Sequence, residues 1–352
     1  MDMHLCNIYV TYAGYRLAMN FLPLSKSKHM LPFAALLSAN GENVHRLLKQ
    51  ASLSADCLED PDTLIPGVCE GSFRELAAQK LGRPNISLEA TRHLEIEDLG
   101  DFGKVILKEP TLRGSISRFQ QLAATESSWV AFDLYPQPDG GLWFGQRLLT
   151  HNKTGEWHNN LYLICLMLKV ARLADPTWSP TEILLNLQAA PEQNTAIEML
   201  GSTPLLEQAV SGFMIPASML ALPVAKSTME EEVTEAGLWS TAPPQTFAES
   251  LRQLIRSFAK SRWLSVDEAG ELSGQSARTL QRRLSTEQIT YSNLVQQCRL
   301  EMAGDLLENS NATIADIAYQ LGYSNQGNFT RAFYRWAKVS PREFRKHRAT
   351  AH

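Results

Sequence analysis

Two segments of the chain repeat one plan: a short capped helix, a glycine, and a second helix with apolar residues behind and amides and arginines in front. The later copy, "ATIADIAYQLGYSNQGNFTRAFYRW", runs from Ala312 to Trp336. Thr313 and Asp316 stand there at capping-box spacing, and Ile314, Ile317, Ala318 and Leu321 fall at i, i+3, i+4 and i+7, one face of a helix. Gly322 supplies the left-handed residue that ends it. A second helix beginning at Ser324 or Asn325 carries Phe329, Ala332, Phe333 and Trp336 on an inward stripe, leaving Asn325, Gln326, Asn328, Arg331 and Arg335 outside. The earlier copy, "LSVDEAGELSGQSARTLQRRL" from Leu264 to Leu284, has Ser265 and Glu268 at capping-box spacing and a turn glycine at Gly274. Its second helix sets Leu280 and Leu284 behind, with Arg278, Gln281 and Arg282 in front. Gly270 to Gly274 matches Ala318 to Gly322, a repeat of 48 residues.

Two short helices joined by a glycine turn, the second apolar behind and amide-rich in front, meet the requirements of a helix-turn-helix. Asn and Gln pair bidentately with adenine edges and Arg with guanine, so the outer faces carry base-reading chemistry. The plainer alternative for either copy alone is a helical hairpin with a solvated polar face, and the second copy argues against it. Between the copies, Thr290 to Asn309 carries Leu294, Val295, Cys298, Met302, Leu306 and Leu307. That amphipathic helix, about 30 Å at 1.5 Å per residue, is long enough to hold two reading helices about one DNA turn apart. Charge separates along the chain in the same sense. From Glu249 onward 15 Lys and Arg face 10 Asp and Glu, a net of +5, whereas the first 248 residues sum to −9.

With these pieces in this order, the chain resembles the AraC-type transcription regulators over Phe247 to Lys346. The markers are "SARTLQRRL", Arg299 with Ala303, Leu306 and Leu307 in the linking helix, then "I314.DIA..LGY", "NFTRAF" and "SPREFRK". The resemblance implies Arg278, Gln281 and Arg282 as the DNA contacts of the first unit. For the second it implies Gln326 and Arg331, with Asn325, Asn328 and Arg335 on the same outer side. Gly270 stands where the family usually has a packing Ala, Ser273 and Gln275 where apolar residues are common, and Gly327 leaves a gap in the second reading face.

Upstream, the sequence divides at "KSTMEEEVTEAGLWSTAPPQTFAES", Lys226 to Ser250, an acidic cluster followed by Pro-Pro. The expected organisation is a peripheral extension over 1–29, an effector-binding and dimerisation domain over 30–225, a linker over 226–246 and the double helix-turn-helix domain over 247–348. "WVAFDLYPQPDGGLWFGQRLL" alternates on both sides of Pro138-Asp139-Gly140-Gly141 and predicts a β-hairpin; "EILLNLQ", Glu182 to Gln188, alternates as well. Helical spacing at Val44–Leu53, Ser72–Leu81, Leu112–Ala123 and Trp157–Ala174 surrounds them. The fold class is therefore an α+β N-terminal domain followed by an all-α domain of two helix-turn-helix units on a linking helix. Three segments, "LEDPDTLIPG", "LKEPTLRGSISRFQQL" and "SGFMIPASMLALPV", also resemble the arabinose-binding-like effector domain that some members carry.

Catalytic chemistry is sparse. His151 and His158 lie seven apart with Glu156 between them, a pattern that fits a strand-to-helix loop better than a metal site, and no metal or cofactor is expected. Trp129, Phe132, Trp143 and Phe144 read as core rather than as a pocket lining. Five scattered cysteines without a CxxC pair indicate a reducing, cytoplasmic setting. No run reaches the roughly 18 apolar residues of a membrane span. The expectation is a non-enzymatic, sequence-specific transcription activator. Its partners would be double-stranded DNA, RNA polymerase and a small-molecule effector, and it would form a homodimer without a membrane partner. One alternative is a DNA-alkylation repair enzyme with a fused reader, which needs an activated acceptor cysteine. Another is a regulator whose first half only dimerises.

Overall fold

A computed structural model describes residues 21–149, 154–187, 200–202, 204–224, 233–259 and 262–349. The chain divides into two compact units, Met1–Gln245 and Thr246–His352. The first is α+β and the second is all-α, as expected.

In the first unit β1 (Leu24–Lys26) leads to helices α1 (Leu31–Ala39) and α2 (Val44–Gln50), then β2 (Leu64–Pro66), α3 (Gly67–Leu81), α4 (Ile86–Thr91), α5 (Asp101–Leu107) and α6 (Leu112–Leu122). The hairpin β3 (Val130–Pro136) and β4 (Leu142–Leu148) follows, with Val130 opposite Leu148 and Pro136 opposite Leu142. After α7 (Glu156–Ala171) come β5 (Ile183–Leu184), β6 (Pro204–Leu205), β7 (Ser211–Ile215), α8 (Ala217–Leu220) and α9 (Glu235–Ser240). The five-stranded sheet runs β3-β4-β7-β5-β6, antiparallel except for the β5–β6 pair. Only Ile183 and Leu184 of the alternating "EILLNLQ" pair as a strand, and its Gln188 lies outside the described residues. Helix α7 is buried nearly throughout, from Trp157 to Ala171, its polar His158, Asn159 and Asn160 included, because it packs on α3, α4, α6 and the sheet at once.

Two boundaries differ from expectation. Residues 1–20 lie outside the described part, but Leu22 to His29 are no peripheral extension. Leu22 and Leu24 are core, β1 pairs antiparallel with β2, and even Lys26 and Lys28 are buried. The stretch read as a linker contains α9, capped by Thr234, with Leu238 buried. Arg118 Nη1 reaches Glu235 Oε1 at 2.6 Å, and Lys26 Nζ donates to Thr241 Oγ1 at 3.0 Å. Residues 226–232 lie outside the described part.

Among its described residues the second unit has seven helices: α10 (Phe247–Ala259), α11 (Val266–Leu272), α12 (Ala277–Thr286), the linking helix α13 (Tyr291–Asn309), α14 (Ile314–Gln320), α15 (Gln326–Ala337) and α16 (Pro341–Ala349). Reciprocal capping boxes open α11, through Ser265 and Glu268, and α14, through Thr313 and Asp316. Gly274 and Gly322 follow α11 and α14 at φ +65° and +78°, the conformation a side chain disfavours. Leu300, Ala303 and Leu307 of α13 close over Ile317, Ala318, Leu321, Phe329 and Phe333 as one core. Trp336, expected inward, is 45% exposed and meets Phe333 edge to face, 5.6 Å between ring centroids. It sits on the last turn of α15.

Gly270 departs from its counterpart Ala318 for a steric reason. A Cβ there would lie 2.8 Å from the carbonyl oxygen of Gln275 and 3.1 Å from the amide of Ala277, so α12 starts too close for a methyl group. Gly270→Ala is expected to destabilise the second unit by about 1–3 kcal/mol through overpacking, despite alanine's better helix propensity. A urea midpoint equal to or above that of the native chain would show that the turn relaxes freely.

Candidate nucleic-acid interface and buried cavity

Each reading helix is fixed at its start by a side chain. Ser276 Oγ accepts from the Thr279 amide at 3.2 Å and caps α12. Leu280 and Leu284 anchor its back, leaving Arg278, Gln281 and Arg282 exposed. Arg283, next in the chain, turns instead onto the Phe247 ring, 4.0 Å from its centroid. In α15 the cap is Asn325, whose Oδ1 accepts from the Asn328 amide at 2.8 Å. That oxygen already serves the helix end with one of its two lone pairs.

Asn328, half-buried, is braced on both sides. Its Nδ2 donates to Ser324 Oγ at 3.0 Å, and its Oδ1 accepts from Arg331 Nη2 at 2.7 Å. Asn325, Asn328 and Arg331 are thus joined in one strap along the outer face, and the Arg331 guanidinium is held in one orientation. Gln326 and Arg335 are exposed. Gly327 has no internal need for glycine: a Cβ would meet nothing nearer than Asn325 Oδ1 at 3.4 Å. The predicted residues fall into two groups, one on α12 and one on α15.

The first unit contains charges that helical and strand spacing did not single out. Lys26 and Lys28 ammonium groups lie 3.2 Å from the oxygens of Glu126, and 3.2 and 2.9 Å from Asp62. His29 joins them, its Nε2 3.4 Å from Glu126 and its Nδ1 3.0 Å from the Tyr162 hydroxyl. Burial works against the Glu126 carboxylate, yet His29, Lys28 and Lys26 outweigh it and hold the group down at about 2. Beside them Arg74 donates to Glu70 Oε1 at 2.5 Å and to Asn159 Oδ1 at 2.6 Å, and lies over the Tyr162 ring at 4.3 Å. The pair could have been suspected from "CEGSFRELAA": Glu70, Phe73, Arg74 and Ala77 share one helical face, so two charges stand in an apolar stripe. Of these groups His29, Glu70, Arg74, Glu126, Asn159 and Tyr162 line a cavity, together with Phe102, Phe119, Phe132 and Trp129. Trp129, Phe132, Trp143 and Phe144 are all buried in the core, and Trp129 and Phe132 also line the cavity.

His158 is buried and does not meet a metal-ligand set; His151 lies outside the described residues, among which no group of three metal-ligating side chains occurs. Burial, aided by Arg74 and opposed by Glu75, lowers the imidazole to about 4, so at neutral pH its Nε2, 3.5 Å from Glu75, serves a neutral ring. The unfolded chain takes up that proton near pH 6.5 and the folded one only near 4. Stability present above pH 6.5 is therefore expected to fall by roughly 3 kcal/mol as pH drops to 4. His158→Gln should flatten this part of an unfolding-versus-pH curve; an unaltered slope would assign it to other groups. The thiols of Cys57, Cys69, Cys165 and Cys298 are all buried, and burial pushes each up to between about 11 and about 12.

A family model described as a helix-turn-helix domain matches residues 271–347. A second, described as the arabinose-binding domain of AraC transcription regulator, N-terminal, matches residues 41–224, just over half of the chain. Curated relatives include the HTH-type transcriptional regulator VqsM of Pseudomonas aeruginosa, 33% identical over 139 residues, which are 38% of this chain and 43% of VqsM. The virulence regulon transcriptional activator VirF of Shigella flexneri is 27% identical over 105 residues, 30% of this chain and 40% of VirF. An uncharacterized HTH-type transcriptional regulator of Mycobacterium tuberculosis is 39% identical over 79 residues, 22% of this chain and 23% of that protein. The chain thus spans between about a quarter and less than half of these relatives' length. Among solved structures, the transcriptional regulator CdpR of Pseudomonas aeruginosa is similar over 91% of this chain and 98% of its own, with 17% identity and a TM-score of 0.42.

Proposed function

The chain belongs to the AraC-type transcription regulators, and we propose that it is a sequence-specific DNA-binding activator whose first unit binds a small-molecule effector and dimerises. The second unit, 247–348, is the reader. The observation that carries this reading is the doubled geometry: two capped helices, α12 and α15, each apolar behind and each offering Arg and amide groups to solvent on its outer face. Arg278, Gln281 and Arg282 are assigned to one major-groove segment. Gln326 and Arg331, with Asn325, Asn328 and Arg335 beside them, are assigned to the next. The linking helix of 19 residues is about 28 Å long, suited to spacing the two by one turn of the duplex. Arg and Lys neutralising phosphates would make affinity fall steeply with salt.

Effector binding would act by favouring one arrangement of the protein over another, which requires unequal ligand affinity for the two. A homodimer on DNA and contact with RNA polymerase complete the mechanism, in a cytoplasmic protein without a catalytic site. Among the described residues no helix is long and apolar enough to cross a membrane. Against the alkyl-acceptor alternative stand the four raised thiols, since such an acceptor needs the opposite shift.

The test is operator selection from random DNA with the full chain, followed by Arg331→Ala. The variant is expected to lose about 1–3 kcal/mol on the selected site and relax preference at one base position. An unchanged base profile would remove Arg331 from the reading set.

A further inference from the structure

The cavity of the first unit has two kinds of wall, each internally connected. Phe119 lies 4.7 Å from Phe132 and 5.5 Å from Phe102, ring centroid to centroid, and forms the apolar side. Arg74, Glu70, Asn159 and Tyr162 form the polar side through the contacts given above. In that polar group one donor and one acceptor are left over. Arg74 Nε and Glu70 Oε2 are buried without a hydrogen-bond partner, in side chains 2% and 3% exposed. Buried polar atoms are rarely left in this state, and these two belong to a single ion pair, so one incoming group can serve both. The cavity volume is ≈ 40 Å³, room for a few waters at roughly 10–15 Å³ each; the polar group of a ligand fits as the walls stand, and a whole ring requires the aromatic walls to part.

Charge narrows the choice. Lys26, Lys28 and Arg74 face Glu70, Glu126 and Asp62, three cations against three carboxylates. A charged ligand would add an uncompensated charge beside these groups, all of them buried except Asp62, which is expensive in a site of low polarity. A sugar meets a different obstacle: its several hydroxyls would find one open donor, Arg74 Nε, and only carboxylate oxygens as open acceptors, Glu70 Oε2 and the two of Glu126, with aromatic carbon around the rest, and each unpaired hydroxyl costs about 1–3 kcal/mol.

We propose that this cavity is the effector site and that it takes a compact, uncharged aromatic molecule bearing one group that both donates and accepts a hydrogen bond, such as a phenolic hydroxyl or a carboxamide. The ligand's donor meets Glu70 Oε2, its acceptor meets Arg74 Nε, and its ring lies among Phe102, Phe119, Phe132 and Trp129. The arabinose-binding description of the domain family then does not extend to a sugar in this chain. The proposal rests on the reading that the first unit binds an effector.

The test is calorimetric titration of the full chain with phenol, benzamide, benzoate, benzylamine and L-arabinose, beside a DNA-binding assay. Phenol or benzamide is expected to saturate one site per chain and raise the melting temperature, with benzoate, benzylamine and L-arabinose at least tenfold weaker. Glu70→Gln leaves Arg74 unbalanced and should move the benzoate-to-phenol affinity ratio at least tenfold toward benzoate. Should that variant not fold, Ala123→Val, which narrows the cavity wall, should weaken phenol at least tenfold. Tighter binding of L-arabinose or of either charged probe, or phenol binding indifferent to Ala123→Val, overturns the proposal. If no probe binds, while another metabolite alters DNA binding and is unaffected by Ala123→Val, the site assignment fails and the effector reading survives. If neither the probes nor any metabolite fraction alters DNA binding or melting, the effector reading fails and the proposal with it.

Discussion

Glu126→Ala is expected to lower the stability of the first unit by about 3–5 kcal/mol, the usual cost of removing one partner from a buried ion pair. The carboxylate is the common counter-ion of Lys26 and Lys28, whose side chains are 1% and 6% exposed. Without it they share only Asp62, which is itself partly in solvent. The same carboxylate gives a pH signature. Because the folded value sits near 2 and the unfolded one near 4.5, its stabilisation is complete above pH 4.5 and is lost as pH falls toward 2. Denaturant unfolding of the full chain at pH 7 and at pH 3 checks both statements. A loss below 1 kcal/mol at pH 7, or an equal loss at both values, would mean that the lysines find other partners.

Phe333→Ala should remove about 3–5 kcal/mol from the second unit and abolish the contribution of α15 to DNA binding. Phe333 is fully buried and holds Phe329, Trp336 and Phe344 around it at 5.3–5.7 Å between ring centroids. The cavity left behind would lie in the core on which α15 rests. Arg331→Ala and Phe333→Ala are therefore distinguishable. The first alters the base profile with the melting temperature unchanged, while the second lowers melting and weakens all sites together. A Phe333→Ala protein that melts normally would refute the role of this ring as the support of the reading face.

The second unit was largely legible because its signals are local. A capping box, a stripe at three- and four-residue steps and a left-handed glycine fall within one window of residues, and the structure has each of them at Thr313, Ile317 and Gly322. The hairpin at Pro138–Gly141 was legible for the same reason. The buried charges were not, because Lys26 and Lys28 meet Glu126 across about a hundred residues of chain, and a lysine near a terminus ordinarily reads as surface. Trp336 erred in the opposite direction: periodicity assigns a side of a helix, whereas exposure depends on whether a neighbour extends that far. Gly270 looked like a weakness by propensity alone, and only the distance to the Gln275 carbonyl shows what it permits.

That distance also determines how freely these parts can be exchanged. The two helix-turn-helix copies share a plan, yet in one the turn closes against a bare backbone and in the other it accommodates the Ala318 methyl. Transplanting α15 with its turn into the first position, or α12 into the second, would carry a turn into a scaffold matched to the other's clearance. A hybrid with new operator preference is therefore better built by changing outward residues such as Arg278 or Gln326 in place than by swapping whole helices.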